Sequence, residues 1–300
     1  MSGTRKVIGA SNYKGHEGVN TGGLNGCFWI EVLRQLENGN LLIQNLYDAG
    51  KIKVEPTQTV IEPDLVYPLL RGKDILRWHT NPSAHIILAN QTDKLGGIPE
   101  AEMKRMHPKT YAYLKQFEPQ LRKRKSNVVR TLMKNGPFYS VFGVGPYTMA
   151  NWKVLWPEVG HTVRAGVRGP EEIESEKAPL PAHTIVAVSC DTKQEAHFIC
   201  ALLNSAPAQS LFKGYIVLHP SPHILNNIAI PKYQAENETH RLLSEKSQEC
   251  HIAVSEGHTE SIAVLEAEID EAAANMWGIT ANELKAIHNA SQKQMVPIEE

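Results

Sequence analysis

Phe142-Gly143-Val144-Gly145 lies in the run PFYSVFGVGPYTMANWKVLWP, residues 137–157. Closely spaced glycines are one way for a backbone to approach a nucleotide phosphate. That chemistry requires G-x-G-x-x-G between a strand and a helix. Here Pro146 follows, and then another extended run, so the spacing predicts a turn between strands. A second candidate is His219-Pro220-Ser221-Pro222-His223. Two histidines four apart on a helix can share a metal ion, but two prolines make this stretch an irregular loop. A third is Asp64 with Glu174, Glu176 and Lys177, the residue types of an acid–acid–lysine nuclease set, with nothing in the spacing to join them. No Walker loop, zincin His-Glu pair or G-x-S-x-G elbow occurs.

Charge is more informative than these motifs. The net charge of −1 over 300 residues conceals a strong asymmetry. Between Glu100 and Lys134 there are ten Lys/Arg against three Asp/Glu, a local net of +7. Between Glu236 and Glu300 there are four against thirteen, a local net of −9. One region therefore suits a polyanion, and the other is turned from it or toward a protein partner; two solvated helical faces would give the same counts.

The elements that must position these residues can be read in order. CFWIEVLRQL and NLLIQNLYDAG flank Glu37-Asn38-Gly39, a hairpin signal. KIKVEPTQTVIEPDLVYPLL and AHIILAN are extended. PEAEMKRMHPKTYAYLKQFEPQLRKRK is helical, with Pro108 and Pro119 in first turns. FYSVF, MANWKVLWP, HTVRAGV and HTIVAVSC read as strands. Asp191 and Thr192 then cap a helix that places Ala196, Ile199, Cys200, Leu202 and Leu203 on one side. NNIAIPKY predicts a short strand, and three helices follow at roughly 236–254, 259–277 and 280–290. Thr280-Ala-Asn-Glu283 is a capping box for the last. In the second, Ile262, Leu265, Ile269, Ala272, Ala273 and Met276 form an apolar stripe, expected to pack on Leu242, Leu243 and Ile252 of the first. The order gives an α+β fold. Residues 1–190 form a β-rich part with a basic helical insert at about 99–134. Residues 191–300 form a helical part with a short strand at about 226–230. The four scattered cysteines, the start without an apolar leader and the lack of a 20-residue apolar window fit a cytoplasmic protein without a membrane span.

Six segments, in this order, carry a family resemblance: GVNTGGLNGCFWIEVL, IEPDLVYPLLRGKDILRW, YAYLKQFEPQLRKRK, PFYSVFGVGPYTMANWKVLWP, EAHFICALLNS and PHILNNIAIPKY. Together they resemble the C-terminal target-recognition region of adenine-specific DNA methyltransferases, in the form found in type IIG restriction–methylation enzymes. The ALLNS helix and the strand ending in Ile-Pro are also similar to type I specificity subunits. The resemblance spans roughly residues 18 to 290. It implies a mixed-sheet target-recognition domain that binds double-stranded DNA beside a methyltransferase domain or subunit, with or without a nuclease. The family grips its flipped adenine with an Asn-Pro-Pro-aromatic motif, and this sequence has no Pro-Pro dipeptide; Thr80-Asn81-Pro82-Ser83 is its nearest string. Catalysis and S-adenosylmethionine are thus expected on a separate segment or subunit, with no cofactor or metal in this chain. A complete nuclease or transferase with an unrecognised site, or an adaptor using the acidic helices, are the alternatives.

Reading DNA needs cations and hydroxyls at phosphates, and amides, cations or acids at base edges. The basic run Arg122, Lys123, Arg124 and Lys125 is the candidate phosphate grip, or else a solvated helix end. Arg71 and Lys73 project from the turn at Gly72, where Asp74 either caps a helix carrying Trp78 or pairs with Arg71. Asn20, Thr21 and Asn25 lie in a polar glycine loop suited to base edges. Tyr147 and Lys153 flank the glycine turn; alternation makes Lys153 the exposed reader and Trp152 or Trp156 the core residue. His223 completes the set.

Overall fold

The computed structural model describes residues 2–160, 162–170, 177–213 and 220–293. The Asn-Gly signal is a true hairpin: β2 (Trp29–Gln35) and β3 (Leu41–Asn45) pair antiparallel, and Gly39 takes the left-handed conformation at φ 79°. β4 (Gln58–Ile61), β5 (Val66–Leu70), β8 (Ala84–Ile87) and β11 (Leu180–Pro181) extend this into one sheet of order β11-β5-β8-β2-β3-β4. Only β11 joins it in parallel, which makes the sheet mixed.

The basic insert covers this sheet. It comprises α3 (Glu100–Met106), α4 (Pro108–Lys115), α5 (Glu118–Arg122) and α6 (Asn127–Lys134). Pro108 and Pro119 stand in first turns, where a missing N–H costs nothing. Met103, Tyr113, Leu114, Phe117 and Leu121 turn inward onto Phe28, Ile30, Ile43, Ile61 and Ile86. Their cationic neighbours, Arg124 excepted, remain outside, which is how a segment of net positive charge can still be anchored.

A second sheet has the order β1-β12-β9-β10, all antiparallel: β1 (His16–Glu17), β9 (Trp152–Pro157), β10 (Gly166–Arg168) and β12 (Ile185–Cys190). One face, with Trp152, Val154, Trp156, Val186 and Val188, packs on α7 (Lys193–Asn204) and on the terminal helices α9 (Glu238–Glu256), α10 (Thr259–Met276) and α11 (Ala281–Lys293). Thr192 caps α7 by accepting from the Glu195 N–H, and Thr280 and Glu283 form the reciprocal box at the start of α11. On the opposite face Leu155, Ile185 and Ala187 meet Leu70 and Ile75, so β9 is covered on both sides. The fold is α+β.

Some expected elements differ. FYSVF is a turn held by one bridge at Phe142, because Pro137 and Ser140 close a tight bend there. Residues 226–230 are not a strand. Pro222–Asn226 is a 3-10 turn, and the following residues bond to the N-terminal segment instead, as in Ala229 N–H to Val7. Trp78 sits in the turn between β6 (Ile75–Leu76) and β7 (His79–Thr80), not on a helix. The apolar stripe of α10 is buried by α9 and α7 through Ile269, Ala272 and Ala273, but Leu242 and Ile252 point outward and only Leu243 joins that core. Among the described residues no helix is long and apolar enough to cross a membrane.

If Ile269 anchors α10, Ile269→Ala should cost about 2–4 kcal/mol, the range for truncating a buried isoleucine. Val264→Ala, on the exposed side of the same helix, should change stability by less than about 0.5 kcal/mol. Urea unfolding midpoints of the two variants check this.

Candidate nucleic-acid interface

The polar loop at Asn20 and the glycine turn at Gly143, far apart in sequence, are joined by two backbone hydrogen bonds. Asn20 N–H donates to Phe142 C=O at 2.8 Å, and Phe142 N–H returns to Asn20 C=O at 3.2 Å. The approach is close because Gly143, at φ 71°, lies against the Gly18 carbonyl, where a Cβ would come within 2.4 Å. Gly145 then leads into the 3-10 turn Pro146–Met149, and Tyr147 from that turn stacks on His16 of β1 with ring centroids 4.0 Å apart and planes 12° apart.

The seam continues in both directions. Val19 N–H donates to Pro181, His183 N–H donates to Val19, and Ala182 N–H donates to Leu70, which places residues 181–184 beside the Arg71–Lys73 corner. A Cβ at Gly72 would lie 3.6 Å from Thr184 Oγ1. On the other side Gly15 abuts Pro222, the residue before His223. At the basic run, Arg124 donates through Nη1 to the Thr21 carbonyl at 3.1 Å. Candidates from five segments are thus linked by backbone hydrogen bonds, close glycine approaches and the Arg124 side chain.

Four of them are interior, and those expectations are corrected. Arg124 is 2% exposed. Its guanidinium donates to the carbonyls of Leu121, Thr21 and Phe138 and lies over the Phe28 ring. Burial pulls its pKa down to about 10, with Cys27 nearby acting in the other direction. Thr21 and Asn25 are buried and bonded to each other at 2.6 Å. Lys153 is 2% exposed; its ammonium donates to the Ala150 carbonyl, and burial pushes its pKa down to about 8. It is interior because the second face of β9 is closed by the other sheet. Trp152 and Trp156 are core, as expected.

The remaining candidates reach the surface. Lys73, Lys123 and Lys125 are exposed, and none of their side chains has a hydrogen bond or ion pair among the described residues. Arg122 is exposed but paired with Glu118 at 2.6 Å. Arg71 is committed to the corner, with its backbone N–H on Asp74 and its guanidinium on Ser83. Asn20 is half-buried, and its side chain accepts from the Gly22 N–H at 2.9 Å. Tyr147 is half-buried, and His223 is exposed, 3.5 Å from the Asn226 amide. His219, Glu174 and Glu176 lie outside the described residues; Lys177 donates to the carbonyls of Pro63, Asp64 and Val66. No group of three or more potential metal ligands occurs among the described residues.

Sequence reasoning missed His16. Burial chiefly, and Lys14 second, hold its imidazole below the usual histidine range. The available signal was the pair of glycines, Gly15 and Gly18, that brackets it.

The arrangement is a mixed sheet joined to a helical part, with a seam of loops between them and with Lys73, Lys123 and Lys125 exposed on segments that border it. No family model matches the sequence. The chain is 29% identical over 156 residues to the type II methyltransferase M.NspV of Nostoc sp. (strain ATCC 29411 / PCC 7524), a match covering 52% of this chain and 31% of that protein. Its fold is similar to that of the type IIL restriction–modification enzyme MmeI, solved in complex with DNA, with a TM-score of 0.53 and 12% identity over 94% of this chain and 35% of MmeI. The chain therefore spans about a third of each. The likeness to M.NspV is one of sequence and supports a protein related to restriction–modification systems; the likeness to MmeI is one of fold alone.

Two predictions concern the interior cations. Arg124→Ala strands the Thr21 and Phe138 carbonyls and should cost about 2–4 kcal/mol, whereas Lys123→Ala and Lys125→Ala should leave stability within about 0.5 kcal/mol. Thermal unfolding separates these outcomes. Lys153 binds its proton less tightly when folded than when unfolded. The unfolded chain therefore holds the extra proton between about pH 8 and the ordinary lysine value of 10.5, and stability from this group should rise across that window. Its penalty is fully present below about pH 8, on the order of 3 kcal/mol. Lys153→Met should remove it, leaving a variant more stable at pH 7 whose advantage shrinks toward pH 10.5; urea titrations across that range check this.

Proposed function

We propose that this chain is the target-reading part of a restriction–modification system. It binds double-stranded DNA and selects a short sequence for an adenine-N6 methyltransferase domain or subunit, which carries S-adenosylmethionine. The observation behind this reading is the seam itself: the Asn20 loop, the Tyr147 turn and the exposed lysines at 123 and 125 are fixed together by backbone bonds and a buried arginine. The curated relative is a methyltransferase, and the fold relative was solved with DNA; both support this reading, and the chain's share of each fits a part rather than a whole enzyme.

In this reading Lys73, Lys123 and Lys125 grip phosphates, and Asn20, Tyr147 and His223 lie against base edges. Thr21, Asn25, Arg124 and Lys153 hold the backbone beneath them. The acidic helices α9 and α10 are repelled by phosphate and turn away from the duplex.

Fluorescence anisotropy with labelled duplexes tests the proposal. Affinity should fall steeply with salt, and a randomised duplex pool should yield one enriched short sequence. Changing Lys123 and Lys125 to Glu should weaken binding to all duplexes alike and reduce the slope of log affinity against log salt by about 0.9 per lost phosphate contact. Wild-type binding without salt dependence, or a pool that yields no enriched sequence, would refute the function.

A further inference from the structure

We propose that Lys51 and Lys53 grip the phosphates of one strand of the duplex while Lys123 and Lys125 grip those of the other, so that the polar loop at Asn20 enters the groove between two cationic rims. The assignment rests on the DNA-reading function above and adds residues 47–54, a loop outside the basic run and the glycine turns.

Three observations carry it. The first is a loop longer than its strands need. β3 and β4 are antiparallel neighbours, which about 2–5 residues can join, yet residues 46–57 lie between them. The extra length is not slack. Val54 N–H donates to the Tyr47 carbonyl at 2.9 Å and closes the loop at its base. Asn45, 1% exposed, spends its side-chain amide on the backbone around it: Nδ2 donates to the Gly26 and Glu55 carbonyls, and Oδ1 accepts from the Thr57 N–H at 2.7 Å. A surface loop anchored in this way loses little freedom when a ligand binds it.

The second is place. Gly50, at φ 88°, lies against Asn25, where a Cβ would come within 3.1 Å of the side-chain amide nitrogen. A Cβ at Gly26 would fall 3.0 Å from the Leu46 carbonyl and 3.1 Å from the Tyr47 carbonyl. The polar loop is therefore held at Asn25 and Gly26 by this segment. At Thr21 and Gly22 it is held by Arg124, which donates to the Thr21 carbonyl and whose Cδ lies 3.0 Å from a Cβ built on Gly22. Lys51 and Lys53 belong to the first of these two supports; Lys123 and Lys125, the chain neighbours of Arg124, belong to the second.

The third is charge. Lys51 and Lys53 are exposed, and their side chains have no hydrogen bond or ion pair among the described residues, Asp48 and Glu55 of the same connection included. Tyr47 and Ile52 are exposed beside them and offer apolar surface to deoxyribose. A segment that enters a groove has a sugar–phosphate chain on each side of it, so complementarity requires cations on both flanks. Lys123 and Lys125 alone would serve one strand; the second set of lysines supplies the other flank.

Binding of the full chain to its enriched duplex, with the phosphates of one strand at a time replaced by neutral methylphosphonates, tests the assignment. A neutral patch on either strand should weaken the wild-type chain. The double variant Lys51→Gln, Lys53→Gln should be insensitive to the patch on one strand, and Lys123→Gln, Lys125→Gln to the patch on the other. Each double variant should reduce the slope of log affinity against log salt by about 1.8, two contacts at about 0.9 each, while the enriched sequence and the urea midpoint stay as in the wild type. A wild-type slope in Lys51→Gln, Lys53→Gln would overturn the assignment and leave the DNA-reading function standing, with residues 47–54 then turned to solvent or to a protein. So would loss of sensitivity to the same strand in both double variants, which would put all four lysines on one backbone. If the wild-type chain binds without salt dependence or enriches nothing, the DNA-reading function itself fails, and this assignment falls with it.

Discussion

The buried guanidinium of Arg124 is the contact on which the candidate interface depends. A cation removed from water must find compensation, and no carboxylate is bonded to this one among the described residues. It is compensated instead by carbonyls from the end of α5, the Asn20–Asn25 loop and the turn at Phe138, with Met133 sulfur nearby. Carbonyls are backbone atoms, so satisfying the charge fixes the paths of three separate stretches of chain. Once Thr21 is held there, Asn20 lies opposite Phe142, and Gly143 lies against Gly18. The stack of Tyr147 on His16 follows from those positions.

This gives a division of labour among residues of similar type. Arg124 and Lys153 spend their charge on backbone oxygens, while Lys123, Lys125 and Lys73 keep theirs for solvent or a ligand. Thr21 and Asn25 bond to each other, while Asn20 stays at the rim. A rigid interior polar set beneath a sparse surface set is how a recognition surface combines defined geometry with available hydrogen bonds. The cost is stability, since each buried ammonium or guanidinium is held against desolvation.

Local rules made much of this readable from the sequence. Asn38-Gly39, the first-turn prolines, Thr192 and the Thr280–Glu283 box each act within a few residues, and each stands in the structure as its chemistry dictates. Lys153 was misread because strand alternation presumes one wet face, and β9 has none. Arg124 was misread because its interior partners, Thr21 and Phe138, belong to other segments, so nothing in the run of four cations distinguishes it. The apolar segment at 226–230 lacks a strand partner because the N-terminal residues occupy its hydrogen bonds. His16 gave little sign for the same reason: the ring that fixes it comes from a distant turn.

Trp78 is the one described non-glycine residue in the left-handed region, at φ 63°. That conformation costs a side-chain-bearing residue about 1–2 kcal/mol. What sustains it comes from elsewhere: its backbone N–H donates to Ala165, its indole N–H to Glu266 of α10 at 2.6 Å, and Arg77 beside it to the same carboxylate. During synthesis β6 and β7 leave the ribosome long before α10 does. Until Glu266 arrives, the turn between them lacks both of its side-chain supports and has only the Ala165 carbonyl. The strained turn beside Lys73 is thus completed by a helix nearly two hundred residues further along the chain, so its shape is a long-range property of the fold although its residues are neighbours.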